Sequence, residues 1–217
     1  NGMYFIGFNS GPVIRMADGH VAPQDITWLK HNLDSVSNAG DSPIFVFTHY
    51  PLRNGDVDNW YEVTDVLRQH NVQCIMGGHY HRNLLFDCDG IANVLNRSNL
   101  RDNDTINGYS IITITDSIRI YERTPNSQSP ITAGHWLSLP FGKKTYATSD
   151  ESLRPDFSVN KEYKNVKRHW HKTLKGGIYS TPVSDGKNLF IGDDVGCMYA
   201  LDLQSGKTRW IFDTGMR

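Results

Sequence analysis

Two short apolar runs, each leading into histidine, constrain this chain more than any other feature of its sequence. Pro43–Phe47 leads into Thr48-His49, and Val72–Met76 leads into Gly77-Gly78-His79-Tyr80-His81. Apolar runs of this length predict buried strands, and functional side chains of α/β proteins commonly follow the carboxyl ends of such strands. We therefore predict that the histidines of the two motifs meet at one edge of a sheet.

The segments around these runs have the periodicity of an α/β layer. Met3–Phe8 and Val13–Met16 are predicted as strands, and a helix is predicted from Pro23 to about Asn38-Ala39-Gly40. A second helix is predicted over Asp58–His70. The order of strand, helix, strand, helix, strand favours a sheet with functional loops at its carboxyl edge.

The pattern changes after residue 82 to short β runs separated by turn dipeptides, which is typical of hairpins. We expect a meander that closes one side of the same domain. The runs are Asn83–Cys88, Gly90–Leu95, Tyr109–Thr115 and Ile118–Glu122.

A second domain is predicted near the end of the chain. Residues 124–165 have little periodicity and predict a linker or wrapping segment. The predicted domains are residues 1–140 and 166–217, with 141–165 between them. Four short strands are expected in the second domain: Ile178–Pro182, Asn188–Gly192, Gly196–Asp202 and Trp210–Phe212.

Composition and charge exclude some functions. The chain has 22 basic and 23 acidic residues and a net charge of -1, so it lacks the electrostatic surface of non-specific nucleic-acid binding. No apolar run approaches the roughly 20 residues of a transmembrane helix, and no signal peptide opens the chain. Because the chain begins almost inside a strand, we interpret it as a piece of a longer protein. Cys74, Cys88 and Cys197 are expected to be buried thiols.

Both histidine motifs resemble blocks of one enzyme family. Thr48-His49-Tyr50-Pro51-Leu52 and Gly78-His79-Tyr80-His81 resemble the last two histidine blocks of the calcineurin-like metallophosphoesterases, and Gln24–Leu33 is similar to a helix of that family. The resemblance covers about residues 1–122. It implies an α/β fold that forms the C-terminal half of a metallophosphoesterase-type β-sandwich flanked by helices.

The resemblance also implies an activity. In this family two divalent metal ions (Mn, Fe or Zn), bridged by an aspartate and a hydroxide, hydrolyse a phosphate mono- or diester. His49 and His79 would bind one metal, and His81 the other. Gly-His-x-His is expected to be an extended segment in which both histidines point the same way. Loop side chains that could contact a substrate phosphate are Arg53, Asn54, Asn96 and Arg97.

Other ligand blocks of the family are missing from this chain. The sequence contains no Gly-Asn-His. Asp18-Gly19-His20 and Gly40-Asp41 imitate the Asp-x-His and Gly-Asp blocks, but they do not stand where the family places those blocks. Asp18 follows a turn-rich segment, and Gly40-Asp41 leaves no room for a third block before His49. We expect the catalytic acid and the bridging carboxylate to lie upstream of Asn1, which would leave the isolated chain with little phosphatase activity and weak metal affinity.

The last part of the chain resembles a different architecture. The blade repeat of pyrroloquinoline-quinone-type β-propellers is similar to four segments here: Ser180-Thr181-Pro182, Tyr199–Asp202, Ser205-Gly206-Lys207 and Trp210. The Trp170 to Trp210 spacing matches the period of such repeats. Most proteins with this blade lack a ligand site, so no quinone cofactor is expected. One blade cannot bury its own faces, so further repeats are expected beyond Arg217. The propeller resemblance implies a periplasmic or cell-surface location.

Two functions remain open at this point. One is a metal-dependent phosphoesterase fused to a propeller. The other is a non-catalytic phosphoesterase-like scaffold whose propeller binds a protein or glycan partner. Unpaired sheet edges would additionally favour self-association of this chain.

Overall fold

The computed structural model describes residues 2–11, 19–99, 107–127, 130–147 and 151–215. It has mixed α/β architecture, as predicted. The chain forms two compact units, and in its second half they divide between Arg154 and Pro155. The strand predicted at Val13–Met16 lies outside the described residues. No helix in the described ranges is long and apolar enough to cross a lipid bilayer.

The first unit is built from two sheets and the helices that cover one of them. Short 3-10 turns occupy Ile131–Gly134 and Glu151–Leu153. The helices are α1 (Pro23–Asn38) and α2 (Trp60–Leu67). The strands are β1 (Tyr4–Gly7), β2 (Ile44–Phe47), β3 (Val72–Gly77), β4 (Leu84–Cys88), β5 (Ile91–Leu95), β6 (Tyr109–Ile114), β7 (Ser117–Arg123) and β8 (His135–Pro140).

The larger sheet determines where functional residues can meet. Its strand order is β1-β2-β3-β5-β4, in which β1, β2, β3 and β5 run parallel and β4 is antiparallel. The carboxyl ends of parallel strands meet at the same edge of a sheet. The segments that follow Gly7, Phe47, Gly77 and Leu95 therefore lie along one edge.

Alternating side chains of the central strands form two separate cores. Ile44 and Val46 of β2 face the helices, where Leu29 and Leu33 of α1 are buried with them. Phe45, between them in the sequence, faces the other way because successive strand side chains point to opposite faces. It is buried with Cys74, Met76 and Val94 of the larger sheet and Ile118 and Ile120 of the smaller one. The first unit is thus a β-sandwich flanked by helices, which confirms the predicted fold class.

The structure differs from the predicted meander in its strand pairing. β4 and β5 form a hairpin that joins the larger sheet through β5, which pairs parallel with β3. Only β6, β7 and β8 form the separate sheet, in the order β6-β7-β8. β8 (His135–Pro140) lies in the stretch predicted as a linker, where Leu137 and Leu139 pack against the second core. Helix α2 is also shorter than the predicted Asp58–His70: it begins at Trp60 and ends at Leu67.

The second unit contains a four-stranded antiparallel sheet. Its elements are α3 (Val159–Glu162), β9 (Val183–Ser184), β10 (Asn188–Gly192), β11 (Cys197–Asp202) and β12 (Thr208–Asp213), with sheet order β12-β11-β10-β9. The strand predicted at Ile178–Pro182 is wrong, because the first strand begins only after Pro182. Proline has no N–H to donate to a neighbouring strand.

Trp170 organises the small core of the second unit. This core consists of buried Ile191, Cys197, Tyr199 and Leu201, and Trp170 packs against it. The Trp170 indole N–H donates to the Leu203 carbonyl at 2.9 Å. Gly206 has a φ of +68°, and a Cβ there would lie 2.6 Å from Cε3 of the Trp170 ring. The glycine is therefore required both by its backbone conformation and by its contact with the indole.

Replacing Gly206 with alanine is expected to destabilise the second unit by more than the roughly 1–2 kcal/mol of a left-handed alanine, because the methyl group also meets the Trp170 ring. Hydrogen exchange of the β11 amides measures the effect, and the β3 amides should not change. Gly186→Ala is the matched control, since Gly186 has a φ of +87° but an added Cβ would meet no atom within 4 Å. Equal losses in the two variants would contradict the packing role of Trp170.

Candidate metal centre

His49 lies just beyond the carboxyl end of β2, and its backbone is held by neighbouring strands. The Thr48 amide donates to the Met76 carbonyl at 3.0 Å, which extends the pairing of β2 with β3 past the end of β2. The amides of His49 and Tyr50 both donate to Ser10 Oγ, at 3.2 and 2.9 Å. Ser10 is fully buried and follows β1. The backbone of His49 is therefore fixed, although its imidazole lies at the surface of the sheet edge.

The loop that carries His79 and His81 is attached directly to the His49 backbone. The Gly78 amide donates to the His49 carbonyl at 2.9 Å. A Cβ at Gly78 would lie 3.6 Å from Nδ1 of His49, so glycine leaves the space beside the His49 ring open. The two histidine motifs thus meet at one sheet edge, where the parallel pairing of β2 and β3 brings them.

The backbone conformation of this loop differs from the predicted extended segment. His79 has a φ of +70° and His81 a φ of +56°. Both residues are therefore left-handed, a region that non-glycine residues rarely adopt. In an extended strand, side chains two residues apart point the same way. Because His79 and His81 are left-handed, the direction of their side chains does not follow from this strand geometry. Backbone strain of this kind is concentrated at functional sites.

Two of the imidazoles are close enough to share a metal. The ring centroids of His49 and His79 are 5.5 Å apart, with an interplanar angle of 79°. Two imidazoles that share one zinc ion at about 2.0–2.1 Å from nitrogen have ring centroids roughly 5 Å apart. The separation of His49 and His79 fits such a pair. Within the described ranges, no three His, Cys, Asp or Glu side chains are grouped so that they could hold one metal ion.

The protonation of His49 is compatible with metal binding. Partial burial of its ring lowers the pKa of His49, and the nearby imidazoles of His79 and His81 lower it further. Neutral imidazole is the form that binds metals. The Tyr50 ring packs on His79, with centroids 4.1 Å apart, and limits the positions open to that imidazole.

Of the four predicted phosphate contacts, the two arginines have carboxylate partners. Arg53 Nε donates to Asp56 Oδ2 at 2.6 Å, and the Arg97 guanidinium is paired with Glu122. Asn54 is exposed. Asn96 Nδ2 donates to the Gly77 carbonyl at 3.3 Å.

A cavity of about 330 Å³ lies on this part of the sheet edge. Thr48 and Gly77, the first residues of the two histidine motifs, contribute to its wall. Asn96 and Arg97 line the same cavity, whereas Arg53 and Asn54 do not. Asn96 and Arg97 thus line a cavity that adjoins the histidine loops at Thr48 and Gly77, whereas His49, His79 and His81 are not among its lining residues.

Of the rejected imitations of the early ligand blocks, Gly40-Asp41 lies away from the histidines, whereas the His20 amide donates at 3.1 Å to the carbonyl of Ser10, the residue that holds the His49 backbone. Asp41 precedes β2 and so lies at its amino end, whereas His49 follows the carboxyl end. His20 Nδ1 is 2.8 Å from Asp58 Oδ1. Asp18 lies outside the described residues.

Sequence patterns did not reveal the residues that fix the two loops. Ser10 and Asp56 are buried polar residues, and the hydrogen bonds by which they hold the histidine loops, from the His49 and Tyr50 amides and from the Tyr80 hydroxyl, come from residues distant in the chain. Tyr80 occupies the variable position of Gly-His-x-His, so the motif did not mark it as a functional residue. A polar side chain in a turn directly after a strand, as at Ser10, is the one local feature that could have marked any of them.

Comparisons with known proteins add little to this geometry. No protein-family model matches the chain, and no curated protein matches it. Among solved structures, the chain is similar to a crystal structure of a Vps29 single mutant from Entamoeba histolytica. The TM-score is 0.26 and the sequence identity 15%, and the match covers 64% of this chain and 99% of that chain. A TM-score this low does not establish a common fold.

The pKa of His49 is expected to lie below the ordinary histidine value of about 6.5 and to rise in a His79→Asn variant, which removes one neighbouring imidazole. Asparagine tolerates the left-handed backbone of residue 79. NMR titration of the imidazole protons measures both values. Because the folded-state pKa is the lower one, the His49 contribution to stability is complete above about pH 6.5 and is lost as pH falls toward the folded-state pKa. An unchanged His49 pKa in the variant would contradict the proximity of the two rings.

Proposed function

We propose that this chain carries the histidine half of a dinuclear metal site, and that the intact protein hydrolyses phosphate mono- or diesters. The observation that supports this proposal most strongly is the approach of His49 to His79, with ring centroids 5.5 Å apart. Both residues come from loops at the carboxyl edge of the sheet. Their order along the chain, with a helix and a strand between them, is that of the calcineurin-like metallophosphoesterases they resemble.

Each histidine has a role in this proposal. His49 and His79 hold one divalent ion, and His81 contributes to a second. Divalent ions held by these histidines would supply Lewis-acid chemistry, that is, polarisation of the phosphoryl group and neutralisation of its charge. The chain itself lowers the pKa of His49 through partial burial and the nearby imidazoles, which favours the neutral ring, and it fixes the His49 backbone through Ser10 and leaves space beside the ring at Gly78. Asn96 and Arg97, which line the adjacent cavity, would contact the substrate.

The second unit is proposed to be one blade of a pyrroloquinoline-quinone-type propeller that does not bind the quinone. Its four antiparallel strands match the strand number of a blade. Trp170 packs against the core of its own unit and lies beside Gly206 of the Ser-Gly-Lys turn, which supports a packing role for this tryptophan. A periplasmic or cell-surface location and a protein or glycan partner follow from the same proposal.

Metal binding is tested with Mn²⁺, whose paramagnetism broadens NMR signals close to the ion even when binding is weak. Titration of the 217-residue chain is expected to broaden the amides of His49, Tyr50 and residues 78–81 first. His49→Gln and His79→Asn should abolish this selective broadening. His31→Gln, at an exposed position of α1, is the matched control and should retain it. Selective broadening at other histidines, or none at these loops, would contradict the proposed site.

Hydrolysis of bis-p-nitrophenyl phosphate by the chain alone is expected to stay at the background rate, because among the described residues no carboxylate completes a three-ligand group with His49 and His79. A larger protein that contains this chain and supplies Asp-x-His, Gly-Asp and Gly-Asn-His blocks should be active. In that protein His79→Asn should reduce the rate by at least about a hundredfold, the effect of losing a stabilising interaction of roughly 2.7 kcal/mol in the transition state. An inactive protein with all blocks present would favour the non-catalytic scaffold instead.

A further inference from the structure

Tyr80 separates the two histidines of the Gly78-His79-Tyr80-His81 loop, and both of its neighbours have left-handed backbones. Such a conformation is unfavourable for residues other than glycine, so a non-glycine residue keeps it only where surrounding contacts enforce it. The Tyr80 amide donates to the Gly78 carbonyl at 2.8 Å, which tightens the turn but leaves the direction of the Tyr80 side chain open. The contacts of that side chain therefore matter for the loop.

The Tyr80 hydroxyl is hydrogen-bonded to a buried carboxylate. It donates to Asp56 Oδ1 at 2.5 Å, and Arg53 Nε donates to the other oxygen, Oδ2, at 2.6 Å. Only 5% of the Asp56 side chain is exposed. Hydrogen bonds to an ionised acceptor are shorter and stronger than neutral ones, and burial reduces competition from water. Asp56 is thus a strong and fixed acceptor for Tyr80.

Asp56 is itself fixed on both sides. Its carbonyl accepts from the Gly19 amide at 2.6 Å, and its amide donates to the Arg53 carbonyl at 3.2 Å. The Arg53 guanidinium carbon lies 3.9 Å from the centroid of the Phe86 ring, which belongs to β4. Tyr80 also meets Phe86 edge to face, with centroids 6.2 Å apart. The cluster formed by Arg53, Asp56, Tyr80 and Phe86 therefore rests on the sheet.

The same cluster joins the two histidine motifs. Arg53 and Asp56 lie in the turn that continues from the His49 motif, whereas Tyr80 lies inside the other motif. The Arg53 guanidinium also donates to the Tyr80 hydroxyl, at 3.3 Å. One end of each loop is fixed by the Gly78–His49 backbone hydrogen bond, and this cluster supplies a second attachment through side chains.

We propose that Tyr80, anchored by Asp56 and Arg53, is a positioning residue that holds His79 and His81 in their left-handed conformations toward His49. The inference rests on the proposed metal site and adds to it the residues that set its geometry. Arg53 thereby has a different role from the phosphate contact expected from the sequence. Its guanidinium holds the loop rather than a substrate.

The test compares Tyr80→Phe with Tyr199→Phe in the 217-residue chain. Both variants lose one hydroxyl bonded to an aspartate, since the Tyr199 hydroxyl donates to Asp193 at 2.6 Å in the second unit. The first readout needs no metal: a left-handed residue has a short distance between its amide and α protons and hence a strong intraresidue NOE. The second readout is the dissociation constant of Zn²⁺, followed by NMR so that weak binding is measurable.

Tyr80→Phe is expected to weaken the intraresidue NOEs of His79 and His81 and to raise the Zn²⁺ dissociation constant by about tenfold or more, as for loss of a hydrogen bond to a charged group. Tyr199→Phe should leave both readouts unchanged. Unchanged NOEs and unchanged affinity in Tyr80→Phe would overturn the positioning role and leave the metal site intact. If the unmodified chain binds no Zn²⁺ at these histidines, the proposed site fails, whereas weakened NOEs in Tyr80→Phe would still support control of the loop by Tyr80.

A second variant separates positioning from general destabilisation. Asp56→Asn keeps an acceptor for the Tyr80 hydroxyl but removes the charge, so its Zn²⁺ affinity should fall between those of the unmodified chain and Tyr80→Phe. Combining the two substitutions should weaken binding by less than the sum of the two single losses, because both remove the same Tyr80–Asp56 hydrogen bond. Additive losses would contradict the proposal, since they would mean that Asp56 and Tyr80 act separately.

Discussion

The hydrogen bond from the Gly78 amide to the His49 carbonyl, 2.9 Å long, is the constraint on which the candidate site depends. It continues the parallel pairing of β2 and β3 beyond the ends of both strands and so fixes one histidine loop against the other. Glycine at residue 77 avoids crowding, because a Cβ there would lie 2.9 Å from Leu95 Cδ2 and 3.4 Å from the carbonyl oxygens of Thr48 and His49. The two glycines of Gly77-Gly78 thus have separate tasks: one allows the strands to approach, and the other leaves room beside an imidazole.

Around this hydrogen bond, two buried polar residues hold the histidine loops from opposite sides. Ser10 accepts the amides that begin the His49 loop, and Asp56 accepts the hydroxyl inside the His79 loop. Neither residue contacts a histidine side chain through these bonds. Their effect is to lower the conformational freedom of the loops before any ligand arrives, and preorganised groups bind more tightly because less entropy is lost on binding. The left-handed backbones of His79 and His81 are consistent with a site held under strain.

Local sequence patterns predicted those helices and strands that are determined by the residues of a single segment. Helix α1 was predicted from its proline and its apolar spacing, and β2 and β3 from continuous apolar runs that suit strands buried on both faces. The pairing of β5 with β3 could not be predicted, because periodicity shows which residues are buried but not which strand lies beside them. β8 was missed for a related reason: its few alternating leucines stand in a polar stretch and become a strand only by pairing with β7. The same difference applies to the site: the histidines stand in a recognisable motif, whereas Ser10 and Asp56 hold the histidine loops through hydrogen bonds from residues that are distant in the chain.

The claim that His49 and His79 share a metal is tested most directly by diffraction. Crystals of the chain soaked in zinc chloride and measured above the zinc absorption edge should show an anomalous peak between these two residues. A shared ion places this peak about 2.0–2.1 Å from one ring nitrogen of each histidine. Zinc bound only at other histidines such as His31 or His135, with no peak between His49 and His79, would contradict the shared site.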